Sequence, residues 1–270
     1  MKRFYIITNR TKDKDLKVTK SIQTYIEEKG SVCFLAEEHP LIPEQIDCIL
    51  VLGGDGTLIR AARELPSNDV PMLGINMGTL GYLTEVEVSD VEHSLDQLMS
   101  GDCYVEKRML LQGTVEGHGE NLALNDIVLT RSGKVRVIQF RVYVNGELLN
   151  TYRADGVIVS TPTGSTAYNL SAGGPVVAPT ASLIVVTPIC SHALNTSSIV
   201  LSADDEIILE VGEGRDGNIE EAVVSFDGEE DVIVRTGDRI QIKKAKATAK
   251  LLRLSKISFL EIMRKKMKGN

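Results

Sequence analysis

The apolar positions fall into two regimes along the chain. From the amino terminus to about residue 101, short unbroken apolar runs alternate with stretches of helical period. Phe4 to Thr8, Val32 to Leu35, Ile46 to Leu52 and Met72 to Ile75 read as buried strands. Between the first two, Leu16, Val18, Ile22, Tyr25 and Ile26 keep close to a helical period, and Gly30 offers a stop. Leu58 to Leu65 can start a helix ended by Pro66, and Val91 to Met99 reads as another. Strands alternating with helices predict a Rossmann-like α/β domain with a parallel sheet, whose ligands bind outside the carboxyl edge.

Past Gly101 the period changes. Segments 111–117, 122–130, 136–144 and 153–160 carry Val, Ile and Leu on short runs, with Asn145-Gly146 a strong hairpin turn. Segments 198–201, 206–211, 222–226 and 232–235 continue the trend. This half is expected to be β-rich and sandwich-like, interrupted by a helix within Gly164 to Ala172. The domains are therefore set at 1–101 and 102–253. The basic tail from Lys243 onward interleaves Leu251, Leu252, Leu254, Ile257, Phe259, Leu260 and Ile262 with its lysines, as on a packed strand and helix with a solvated outer face.

Composition narrows the function. A formal charge of −7 argues against a nucleic-acid partner, which would call for a basic surface. No run approaches the length of a membrane span, and the start is too short for a signal peptide, so a cytoplasmic protein without membrane contact is expected. The cysteines at 33, 48, 103 and 190 form no CxxC pair, and the histidines at 39, 93, 118 and 192 form no HxH or HxxxH pair. No dedicated protein-held metal site is expected from them.

Three clusters carry candidate chemistry. Gly53-Gly54-Asp55-Gly56-Thr57 follows an apolar strand, so one carboxylate is delivered among glycines that let phosphates approach the backbone. Asp55 could take a proton or position magnesium; the alternative is a tight turn. The GK[ST] ending of a Walker A loop is missing. Asn125-Asp126 sets an amide beside a carboxylate inside an apolar segment, which suits ligand contact or a bulge. The densest block runs from Arg153 to Pro175. Its hydroxyls, Asn169, Asp155 and the ring of Tyr168 suit a sugar and a base, or else a Ser/Thr-capped helix after a strand. Asp227-Gly228-Glu229 reads first as a turn and second as an acidic group at a site.

Taken together, GGDGT at 53–57, Gly74-Ile75-Asn76 with Leu80-Gly81, Asn125-Asp126 and DGVIVSTPTGSTAYNLSAGGP at 155–175 resemble the NAD kinase family. GGDGT alone is shared with diacylglycerol and sphingosine kinases; the 155–175 block separates them. The resemblance implies phosphoryl transfer from ATP, or from polyphosphate, to the 2′-hydroxyl of the adenosine ribose of NAD, with a divalent ion, magnesium expected, carried by the nucleotide. It implies that Asp55 accepts the hydroxyl proton and that Gly53, Gly54, Gly56 and Thr57 form the phosphate-donor loop. NAD contacts are implied for Asp55, Gly56, Arg60, Asn125, Asp126, Arg153, Asp155, Thr163, Thr166, Ala167, Tyr168, Asn169, Leu170, Ser171 and Cys190. It also implies that residues 254–270 return to the first domain and that the protein is a homodimer or homotetramer. The chain departs from the family pattern at Glu229, where Gln is expected, at Asp126, where Glu is frequent, and at Thr79 and Tyr82, where a basic residue and Phe are frequent.

Overall fold

The computed structural model describes residues 1–65, 69–78, 81–133, 137–191, 197–214, 217–255 and 258–267. Pro66, Thr79, Leu80, His192 and Ile257, which the sequence reading invokes, lie outside them. The chain forms two compact units, Met1–Lys107 with Ala249–Asn270, and Arg108–Thr248. The pattern change in the sequence sets the divide at 101/102 and 253/254.

In the first unit, β1 (Arg3–Thr8), α1 (Lys17–Glu28), β2 (Val32–Leu35), β3 (Cys48–Gly53), α2 (Asp55–Glu64), β4 (Met72–Asn76), the short β5 (Val86–Glu87) and α3 (Val91–Ser100) follow one another. The strands pair in parallel in the order β4-β3-β1-β2, and β5 adds to β4 at Ile75↔Val86. Every residue of β3 and β4 is buried, as expected of parallel strands covered on both faces. Phe4, Ile6, Leu50, Leu52, Leu73 and Ile75 pack with Ile22 and Ile26 of α1 and with Leu95 and Leu98 of α3. Gly30, at φ +76°, ends α1 in the left-handed region that favours glycine.

One boundary matters for function: the helix expected from Leu58 begins at Asp55. Gly54 is its extended N-cap, and the N–H groups of Thr57 and Leu58 both bond back to the Gly54 carbonyl. Asp55, Gly56 and Thr57 are thus the first helical turn, which a search for apolar periodicity cannot see because none of them is apolar.

The second unit contains most of β6 (Tyr104–Val115), then β7 (Gly119–Ala123), β8 (Asp126–Arg131), β9 (Ile138–Val144), β10 (Glu147–Ala154), β11 (Gly156–Ser160), α4 (Tyr168–Ser171), β12 (Leu183–Ile189), β13 (Ile199–Ser202), β14 (Ile207–Val211), β15 (Glu221–Phe226), β16 (Glu230–Arg235) and most of β17 (Arg239–Arg253). One antiparallel sheet runs β10-β9-β14-β17 and the other β13-β12-β11-β8-β15-β16. Leu111, Phe140, Tyr152, Leu209 and Ile242 from the first share one core with Ile127, Leu129, Val157, Val186 and Phe226 from the second, which makes a sandwich. Phe140 and Tyr152 stack at 5.4 Å.

The runs 122–130 and 153–160 each break into two strands, at Asn125 and at Asp155. A continuous strand would have driven one of these polar side chains toward the core. The segment 164–172 becomes a 3₁₀ turn, Gly164–Thr166, followed by the single turn of α4. Strand β12 escapes the sequence reading because of Pro188, yet β13 pairs with β12 only from Leu183 to Val186, so Pro188 lies beyond the end of that ladder. Strand β17 is read only at its end, since lysines crowd its exposed face while Ile240, Ile242, Ala245 and Ala249 are buried. Its last residues belong to the first unit, where Leu251 pairs with Met72 in parallel, and α5 (Phe259–Met267) follows.

Candidate functional site

The carboxyl ends of β1, β3 and β4 come together in the first unit. The Asn9 N–H donates to Leu52, and the Met77 N–H to Gly53, each at 2.8 Å. Thr57 turns its side chain back over Gly53, where any Cβ would collide with the hydroxyl, and that hydroxyl accepts the Asn9 amide at 3.1 Å. Gly53 is therefore required by a close approach inside the fold. Thr57 is buried and serves as the lock of this turn.

Asp55 points to the segment after β4. Its Oδ2 accepts the Tyr82 N–H at 2.6 Å; its Oδ1 accepts the N–H groups of Leu83 and Thr84 at 3.1 Å and the Thr84 hydroxyl at 3.2 Å. One carboxylate thus fixes three consecutive residues. Oδ2, with a single donor among the described residues, keeps the greater spare accepting capacity. The first-turn position of α2 also sets Asp55 where the helix dipole favours negative charge. Gly54 and Gly78 flank Lys12: a Cβ on either would stand 3.2 or 3.1 Å from its Nζ. Gly56 is exposed with open space around it. Arg60 is half-exposed on α2, 4.0 Å from Glu64.

In the second unit the start of β8 lies beside the end of β11, with Asp126 opposite Ser160. The backbone of 124–126 is held from two sides. The Asp227 carboxylate accepts the N–H groups of Leu124, Asn125 and Asp126 at 2.8, 2.7 and 3.1 Å. On the other side Thr161 donates its N–H to the Asn125 carbonyl at 2.8 Å and its hydroxyl to the Leu124 carbonyl at 2.6 Å. Gly164 packs against the Asn125 backbone so closely that a Cβ has no room. Among the described residues neither the Asn125 amide nor the Asp126 carboxylate is hydrogen-bonded by its side chain, so the fold fixes their backbone and commits neither functional group. Asp126 is 5% exposed, and its carboxyl is pushed up to about 7, first by burial and then by the Asp227 charge.

The 155–175 block divides into surface and support. Asp155 is 3.3 Å from the Arg131 guanidinium, and the exposed Arg153 donates to Gln139 at 3.2 Å. Thr163 is buried and accepts from Arg108 at 3.2 Å; Thr166 donates to the Thr163 carbonyl. Tyr168, Leu170, Ser171 and Cys190 are exposed, and Ala167 is partly so. Asn169 is fully buried. Its Nδ2 donates to the carbonyls of Ser165 and Pro175 and its Oδ1 accepts the Thr187 hydroxyl, so the side chain is spent inside the fold.

Asn9, Lys12 and Arg108 lie outside the motifs that the sequence displays, and Asp227 reads first as a turn residue. Asp227 does sit in a turn, at φ +53°, but the turn delivers its carboxylate to the backbone of 124–126. An Asp-Gly pair after a strand was the available signal. Arg108 gave none. Among the described residues no cluster of three or more His, Cys, Asp or Glu could hold a metal ion, and no helix is long and apolar enough to cross a membrane.

The ATP-NAD kinase N-terminal domain matches residues 11–103 and the ATP-NAD kinase C-terminal domain matches residues 124–254. The NAD kinase of Lachnospira eligens is 47% identical over 99% of this chain and 100% of its own length. That of Agathobacter rectalis is 47% identical over 100% and 99%. Among solved structures, an NAD kinase from Archaeoglobus fulgidus in complex with ATP is 27% identical, with a TM-score of 0.78 over 94% of each chain. Yeast NADH kinase complexed with NADH has a TM-score of 0.86 at 23% identity, covering 100% of this chain and 88% of its own. With both domain models matched in order and near-full-length relatives at this identity, the chain belongs to the NAD kinase family, whose function is the phosphorylation of NAD to NADP.

Proposed function

We propose that Asp55 is the proton acceptor in phosphoryl transfer from magnesium-bound ATP to the 2′-hydroxyl of the adenosine ribose of NAD. The observation that carries this is the Asp55 carboxylate in the first turn of α2, at the carboxyl edge of the parallel sheet, with its Oδ2 accepting a single N–H among the described residues. A ribose hydroxyl is a poor nucleophile until its proton is taken, and the rest of such a reaction is positioning and charge neutralisation. The 2′-oxygen bonds to the γ-phosphorus as the bond to the bridging oxygen breaks and ADP leaves; the hydroxyl proton passes to Asp55 Oδ2.

NAD recognition falls to Asn125 and Asp126, whose side chains have no partner among the described residues, and to Asp155, Arg153, Thr163, Thr166, Ala167 and the exposed Tyr168 ring. Gly56, Arg60, Leu170, Ser171 and Cys190 complete the proposed contacts, with Asn169 acting from behind the turn. Gly53, Gly54, Gly56 and Thr57 shape the donor loop. The divalent ion arrives with the nucleotide, and polyphosphate is the alternative donor. We place the enzyme in the cytoplasm, in keeping with four free cysteines. A homodimer or homotetramer is supported by exposed apolar side chains on edge strands, Leu148 and Leu149 on β10, Val200 on β13 and Ile233 on β16.

The test is a coupled assay with purified protein, offering NAD and a diacylglycerol in parallel with ATP or polyphosphate and magnesium. NADP should accumulate and phosphatidate should not. Phosphatidate formation, or no NADP with either donor, would overturn the reading.

A further inference from the structure

We propose that Lys12 binds the phosphoryl donor, and that the cavity it shares with Asn76 and Gly78 receives the donor's magnesium-bound phosphate chain. The proposal rests on the NAD kinase reading and adds to it a residue and a cavity outside the glycine loop.

Lys12 lies in the connection between β1 and α1, in a turn closed by its own N–H and that of Asp13 on the Asn9 carbonyl. The neighbouring acid is committed elsewhere: Asp13 is buried and accepts the Thr19 N–H at 2.9 Å and the Thr19 hydroxyl at 2.7 Å. Lys12 has no ion pair or hydrogen bond on its ammonium among the described residues. Yet this cation stands over Gly54 and Gly78, close enough that a side chain on either would press on it. Exposed lysines without partners ordinarily extend into water; this one is laid across two glycines at the carboxyl edge of a parallel sheet, where α/β folds bind ligands.

The second observation comes from a different element. Asn76 ends β4 and is 4% exposed; its Nδ2 donates to the Gly78 carbonyl at 2.8 Å, but its Oδ1 has no partner among the described residues. A buried acceptor left unpaired is costly. Asn76 and Lys12 line one cavity of 380 Å³, with Gly78, Glu87 and Ser89. A bare phosphate chain would satisfy the ammonium but would be repelled by Glu87. Magnesium keeps several of its waters when it binds a nucleotide, and these donate hydrogen bonds. One cation and one carboxylate on the wall of the same cavity therefore match a metal-bound polyphosphate better than a free anion. A lysine suits the task because its ammonium is a point charge on a flexible stem that can follow phosphates as they move.

The experiment compares wild type with Lys12→Met and Lys12→Arg, all exposed changes that spare the core. The Michaelis constants for ATP and for NAD are measured separately, and magnesium tripolyphosphate is titrated by calorimetry. Lys12→Met should raise KM for ATP about tenfold or more, the scale of one charge-assisted hydrogen bond, while KM for NAD stays within about twofold. Lys12→Arg should recover most of the loss. Tripolyphosphate should bind wild type, compete with ATP and not NAD, and weaken by a similar factor in Lys12→Met. An unchanged KM for ATP, an equal rise in KM for NAD, or tripolyphosphate binding indifferent to Lys12 would overturn the proposal. The calorimetric arm needs no turnover, so it decides the role of Lys12 even if NADP fails to form, a result that would count against the NAD kinase reading alone.

Discussion

The carboxylate of Asp55 fills the space into which a side chain on Gly81 would project. The next three residues, Tyr82 to Thr84, then donate to that same carboxylate. The segment continues into a second anchor, where Glu85 accepts the N–H groups of Leu254 and Ser255 at 2.9 and 2.7 Å and pairs with Arg253. Arg253 also donates to the Leu83 carbonyl at 3.0 Å. The Leu83 backbone is thus held at its N–H by Asp55 and at its C=O by Arg253. Gly81→Ala forces either the segment or the carboxylate to move. It should lower kcat by about 100-fold or more, and lower stability by ~1–3 kcal/mol as overpacking does. Steady-state rates and a denaturant melt check both, and a variant with wild-type turnover would contradict the fit.

The double use of Asp55 makes a test of its chemical role demanding. Asp55→Asn removes the proposed base but also sets an NH₂ group against a backbone donor. Its expected loss in kcat is about 10²–10⁴-fold, the range for general base catalysis. Thr84→Val supplies the control: it deletes the weakest of the four bonds to the carboxylate, at 3.2 Å, and leaves the base intact. It should cost less than about tenfold if proton transfer rather than loop anchoring dominates. Equal losses in the two variants would assign Asp55 to anchoring.

How far the sequence discloses such a site depends on where the information resides. The apolar runs identify the parallel strands because β3 and β4 are buried along their whole length. The glycine loop and the 155–175 block are legible because they are contiguous. What escapes is chemistry assembled across the chain. Asp227 reaches the backbone of residues some hundred positions earlier, and Arg108 meets Thr163 across a separation of 55 residues. Asn169 shows the converse. It stands in the motif beside exposed residues and shares their polarity, but nothing in its spacing reveals that its amide faces inward.

Asp126 provides a pH test. Its carboxyl is raised to about 7 in the folded chain, chiefly by burial and then by Asp227, against an ordinary value of 3.8. The folded state therefore holds a proton that the unfolded chain has released. The associated stability is fully present below about pH 4 and is lost as the pH rises through about 7. Asp13, Asp47 and Glu210 have lowered values and act in the opposite sense, losing their contribution as the pH falls. Asp126→Asn isolates the first effect, since the amide carries no charge to bury. Between pH 5 and pH 8 the variant should gain on wild type by on the order of 2–4 kcal/mol in urea melts. A stability difference that does not change with pH would refute the assignment.

The last prediction separates support from contact within the 168–171 turn. Asn169 satisfies two carbonyls and one hydroxyl at zero exposure, and a Cβ on Gly174 would collide with its amide, so this side chain ties Ser165, Pro175 and Thr187 of β12 into one arrangement. Asn169→Ala opens a cavity and strands these partners in a buried place. It should destabilise the protein by ~2–4 kcal/mol and raise KM for NAD through the displaced turn. Leu170→Ala and Ser171→Ala alter exposed side chains and should leave stability within about 0.5 kcal/mol. If they nonetheless raise KM for NAD, they touch the dinucleotide themselves. Melting curves paired with NAD and ATP saturation kinetics distinguish the two roles, and an Asn169→Ala protein as stable as wild type would show that the turn is held by other means.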